Sequence, residues 1–140
     1  MASTQHSGAA ATAGVAPSDG FARLTLKLDG VVTSLNGLGY LALGTVLDSV
    51  LGIGTSVEYP VGVFLLVYAL GVLVAGTRER ISRKALGTVL VANVLWAVVS
   101  AVTVISGALS PTVAGGVWIV LQAVVVALFA ALQYVGLKRM

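Results

Sequence analysis

The residues of this chain that could do chemistry fall at helical spacing. Asp29, Thr33, Asn36 and Tyr40 are separated by four, three and four positions, so a single helix carries all of them on one face. Asn93, Trp96, Ser100 and Thr103 repeat the pattern. Gln122, Phe129 and Gln133 share a third stripe, and Phe64, Tyr68 and Gly71 a fourth. The chemistry open to such a set is narrow. Asp29 is a protonatable carboxylate suited to proton coupling or partner recognition. The amides and hydroxyls either tie helices together or line a polar cavity for a small ligand or ion. As ties they contribute about 0.6 kcal/mol each and seldom above 2.

Other chemistries lack their residues. The chain has no Cys, and its one His, His6, lies in the N-terminal stretch and is expected to do nothing specific. Thiolate metal sites, disulfides, cysteine nucleophiles and axial-His haem ligation in the apolar segments are thereby excluded. Carboxylates do not cluster as a metal would require, and Ser100, Thr103 and Ser106 have no base nearby in sequence. A non-enzyme is expected, with no cofactor and no metal.

The elements that must position these stripes follow from composition. Of 140 residues 58% are hydrophobic and 9% charged, with a mean hydropathy of +1.04. Soluble domains carry about 25% charged residues. A core this small cannot hide so much apolar surface from water, whereas lipid solvates it directly. The expected class is an all-α membrane protein, a four-transmembrane-helix bundle with spans about 24–47, 60–76, 85–107 and 111–136. Asp19 or Ser18 is read as the first cap, Pro60 as a first-turn proline, and Ser110-Pro111 as cap and first turn of the last helix. Residues 1–20 lack the basic start and unbroken apolar run of a secretory signal and read as a disordered tail, leaving 21–140 as the membrane domain.

Orientation comes from the basic residues. The net charge is +3 and the pI near 9.6, but the Lys and Arg residues form three short clusters rather than one patch, so no nucleic-acid partner is expected. Arg23, Lys27, Arg78, Arg80, Arg83, Lys84, Lys138 and Arg139 all fall on one side of a four-span topology. The positive-inside rule then puts both termini in the cytoplasm, and the Ala-, Val-, Gly- and Leu-rich composition suggests a bacterial inner membrane. Asp48 and Glu58 are the acids of the outer side. Counting residues from each expected entry point places Asn36, Tyr68, Asn93 and Gln122 near the midplane. Asp29 and Gln133 come out together near the cytoplasmic face, with Arg83, Lys84 or Lys138 as prospective charge partners. The hexapeptide of residues 42–47 recurs at 85–90, but at opposite depths, so no internal repeat is inferred.

Leu24-Thr-Leu-Lys-Leu-Asp29-Gly-Val-Val-Thr33, Asn93-Val-Leu-Trp96 and Leu132-Gln-Tyr-Val-Gly-Leu-Lys-Arg139 together resemble a family of uncharacterised bacterial four-helix integral membrane proteins. That family has a Leu-Arg-Leu-Asp-like opening and an Asn-x-x-Trp third helix. The resemblance implies the topology and no activity; where the family often carries an acid in its last helix, this chain has Ala131. In size and span number the chain is also similar to small multidrug transporters, but it lacks their membrane-embedded glutamate in the first helix. The expected function is a non-enzymatic accessory or assembly partner whose contacts are membrane lipid and a membrane-protein partner or further copies of itself. The alternative is a small oligomeric proton-coupled transporter or channel in which Asp29 takes the proton and Asn36, Tyr68, Asn93 and Gln122 line the route, beside Trp96 and Gln133. An enzyme acting on lipid headgroups near Asp29 is the third and weakest reading.

Overall fold

A computed structural model describes residues 16–140. The expectation of a disordered tail over residues 1–15, and with it His6, lies outside the described residues. A 3-10 turn, Ala16–Asp19, leads into four α-helices: α1 (Gly20–Leu51), α2 (Thr55–Thr77), α3 (Arg83–Ser106) and α4 (Val113–Arg139). All four are long and apolar enough to cross a membrane. The shortest, at 23 residues, spans about 35 Å at 1.5 Å per residue, more than the roughly 30 Å of a hydrocarbon core.

The ordered part begins before residue 21 because Asp19 is held from two sides. Its carboxylate pairs with Arg23 at 3.5 Å and accepts the backbone N–H of Ile81 at 3.4 Å, although it makes no side-chain cap bond to α1. The first connection is also much shorter than the loop expected between residues 48 and 60. The first helix continues to Leu51 and ends on Gly52, whose φ of 68° supplies the left-handed cap, its N–H donating to the Asp48 carbonyl. With α2 starting at Thr55, Pro60 is inside the helix rather than in its first turn. At α4 the cap is Thr112 instead of Ser110: its hydroxyl accepts the Gly115 N–H at 3.0 Å, and Pro111 precedes the helix. Ser82 caps α3 in the same way through the Ala85 N–H.

Packing is uneven. The antiparallel pairs α1/α2 and α3/α4 are the extensive contacts, α1 against α4 joins the pairs, and α2 meets α3 at few points. The α1/α2 crossing is tight enough that a Cβ on Gly37 would lie 2.9 Å from the Gly62 carbonyl oxygen. Apolar burial concentrates at one end, where Ala22, Leu26, Val72, Ile81, Leu86 and Val89 form the core. That end also carries every Lys and Arg of the chain. Arg23 donates to the Gly76 and Glu79 carbonyls, each at 2.9 Å, and to that of Arg78, while Arg83 donates to the Leu137 carbonyl at 3.1 Å. Two guanidinium groups thus satisfy the orphan carbonyls and negative dipoles at the C-termini of α2 and α4. Outward faces are apolar along the helices: Leu35 and Leu70 are each 65% exposed and Val67 is 67%. Surface of this kind needs lipid or a partner over it.

At the opposite end, α4 starts against the last turn of α1. The Thr112 N–H and hydroxyl donate to the Leu51 and Val50 carbonyls, and a Cβ on Gly115 would overlap the Leu51 carbonyl oxygen. Because that obstacle is backbone, Gly115→Ala is expected to destabilise the fold by about 1–3 kcal/mol. Gly116→Ala, whose methyl meets nothing within 4 Å, is expected to be neutral or to stabilise by up to about 1 kcal/mol. Unfolding midpoints of the two variants in mixed micelles with increasing dodecyl sulfate make the comparison.

Candidate functional site

Three polar rungs connect α1 to α4. Asp29, 1% exposed, faces Gln133, which is fully buried, and the Gln133 amide donates to Asp29 Oδ2 at 2.8 Å. Asn36 and Gln122 exchange amide hydrogen bonds at 3.4 Å. Trp118 Nε1 donates to the Tyr40 hydroxyl at 2.8 Å. The rungs use positions 29, 36 and 40 of one helix against 133, 122 and 118 of an antiparallel one, so helical periodicity alone keeps them on facing stripes.

The first rung is a three-helix knot. Asn93 of α3 donates to Asp29 Oδ2 at 2.8 Å and to Gln133 Oε1 at 2.9 Å, using both amide hydrogens. Thr33, one turn along α1, donates to Asp29 Oδ1 at 2.9 Å. Both carboxylate oxygens are therefore occupied by neutral donors of the chain itself. Arg83, Lys84 and Lys138 do not pair with it; among the described residues the one ion pair is Arg23 with Asp19.

Depth accounts for a further difference from expectation. Asn93 belongs with Asp29 and Gln133 rather than with the Asn36–Gln122 rung. Measured from the true helix starts, Gly20 and Arg83, Asp29 and Asn93 are nine and ten residues in and so lie level. Counting from the expected start of the first span, near residue 24, places Asp29 too shallow.

Asp29, Asn36, Tyr68, Asn93, Trp96 and Gln122 all wall one cavity of about 60 Å³, and Gln133 joins them through its bonds to Asp29 and Asn93. That is room for a few water molecules. On its α2/α3 side an aromatic stack closes it. Phe64 lies parallel to Trp96 with centroids 5.9 Å apart and to Tyr68 at 6.0 Å, and the Tyr68 hydroxyl donates to the Val89 carbonyl at 3.4 Å. Gly71, on the same stripe by spacing, faces open space. The described residues hold no group of three or more His, Asp or Glu side chains able to bind a metal.

Two participants escaped the sequence reading. Trp118 lies four residues before Gln122 on the same face, a spacing that would have revealed it. Glu58 had been placed in a loop; the early start of α2 instead puts it inside a helix and 1% exposed. No local pattern signals that burial.

If the knot acts as a unit, removing one member costs stability only while the others remain. Asn93→Leu is expected to destabilise the protein by about 1–2 kcal/mol, and to add little when introduced beside Asp29→Leu. A double-mutant cycle on the same unfolding transition measures the coupling; additive effects would mean that the three groups are energetically independent. Comparison of the chain with protein-family models, with curated proteins and with solved structures gives no match.

Proposed function

We propose that this protein is a non-enzymatic accessory or assembly partner in a bacterial cytoplasmic membrane, with both termini on the cytoplasmic side. The observation that carries this reading is the state of Asp29. Its hydrogen bonds are made by Thr33, Asn93 and Gln133, and the cavity beside it holds about 60 Å³, room for a few water molecules. A group so enclosed fixes helix packing. What remains for recognition is the apolar outer surface, above all the sparsely packed line between α2 and α3. The clustering of all Lys and Arg at one end supports a cytoplasmic location for that end.

The proton-coupled reading rests on Asp29, and the two readings separate cleanly. Native mass spectrometry on protein released gently from its own membrane is expected to show a stoichiometric complex with a different membrane protein. Proteoliposomes of the chain alone are expected to conduct no protons. Flux that is present in wild type and lost in Asp29→Asn would reverse the assignment.

Sidedness has its own test, since the chain has no native Cys. Ser110→Cys is expected to react with a membrane-impermeant maleimide in intact cells, and Glu79→Cys only after permeabilisation. The opposite pattern would invert the topology.

A further inference from the structure

The end of the bundle without basic residues contains a second, larger chamber of about 300 Å³, walled by all four helices beneath the two loops. Glu58 forms part of this wall, with Tyr40, Trp96, Ser100 and Thr103. Among the described residues the two carboxylate oxygens of Glu58 are the only buried side-chain N or O atoms without a hydrogen-bond partner. The contrast with Asp29, whose oxygens receive three bonds, is sharp.

A buried carboxylate with no partner is strongly unfavourable when ionised, unless a proton or a cation compensates it. The chain supplies no cation here, because all eight Lys and Arg residues belong to the other end. Asp48, in the last turn of α1, adds a second negative charge at this end. A hard metal ion would want about six or more oxygen ligands, and most of this wall is aliphatic or aromatic. The complementary guest carries one positive charge on a small apolar body. Trp96 and Tyr40 offer aromatic surface of the type that attracts such a cation, and the Ser100 and Thr103 hydroxyls are hydrogen-bonding groups on the same wall.

We infer that Glu58 and the chamber it walls form a binding site for an alkylammonium group, brought by a free small amine or by the headgroup of an ethanolamine-type lipid. The carboxylate oxygens are sealed from the chamber in the empty site, so Glu58 must turn them into it for the ammonium to neutralise them, with the carbon substituents on Trp96, Tyr40 and the aliphatic wall. The site is independent of any protein partner, so it stands or falls separately from the accessory role.

The test uses the full chain, stripped of lipid in maltoside detergent and titrated with tetramethylammonium chloride against a sodium chloride control, followed by calorimetry and tryptophan fluorescence. Saturable binding is expected, weakened at least tenfold by Glu58→Gln and also by Trp96→Leu, and unchanged by Glu79→Gln at the far end. Glu58→Gln removes an unpaired buried charge and is expected to unfold no earlier than wild type, which an unfolding midpoint verifies. Absence of saturable binding, or wild-type affinity in Glu58→Gln, overturns the inference. Repeating the titration in nanodiscs identifies the source. At high salt, which screens the pull of the anionic phosphatidylglycerol surface on any cation, weaker apparent affinity in phosphatidylethanolamine than in phosphatidylglycerol means that the lipid headgroup occupies the site; equal affinity in both means a free amine.

Discussion

The rest of the structure depends on the polar joint between α1 and α4. Among helices solvated by lipid, apolar surface does not choose a neighbour, because a leucine is as well accommodated by acyl chains as by another helix. Buried amides and carboxylates do choose, since each needs a partner that lipid cannot provide. Asp29–Gln133, Asn36–Gln122 and Tyr40–Trp118 meet in one register of the two helices. Rotating either helix by one residue, about 100°, would separate all three pairs at once. Short connections already bring α1 to α2 and α3 to α4, so this joint decides how the two hairpins combine.

Its strength on one side leaves the other side open. With α1 held to α4, and Asn93 drawing α3 toward Asp29, α2 and α3 stand apart. Away from the apolar core at the basic end, what bridges them is aromatic: the Phe64–Trp96 stack and the single bond from Tyr68 to the Val89 carbonyl. Trp96 is a wall of both chambers and therefore the partition between them. The two carboxylates on either side of it are in opposite circumstances. Asp29 accepts three hydrogen bonds beside the smaller cavity, whereas Glu58 belongs to the wall of the larger chamber and its buried oxygens accept none.

Much of this was legible in the residues, and the failures have local causes. Periodicity places the polar residues on four stripes because a helix repeats every 3.6 residues whatever solvates it, and the structure brings together all seven residues singled out from those stripes. Helix ends were less legible. Gly52 ends α1 by adopting a left-handed conformation, and Thr112 caps α4 through its own hydroxyl, whereas the nearby prolines mark neither boundary. The error in the depth of Asp29 has a related cause, since depth is counted from a helix start and α1 begins at Gly20, ahead of the expected span. Glu58 was illegible for a different reason. It shares a wall with Tyr40, Trp96 and the α3 hydroxyls, which come from distant parts of the chain, and one carboxylate near a proline carries no mark of that.

A route through the bundle would have to pass Trp96 and then Asp29. The first step breaks a parallel aromatic contact whose stacking contributes about 0.5–1.5 kcal/mol beyond area burial. The second exposes a carboxylate whose three hydrogen bonds also hold α1, α3 and α4 together. Opening there would loosen the joint that specifies the fold, so the cost grows toward the cationic end. At the other end the Glu58 chamber already has volume and does not share the Asp29 knot. A guest entering there meets Trp96, the wall shared with the Asp29 cavity, before it reaches the joint that holds α1, α3 and α4 together.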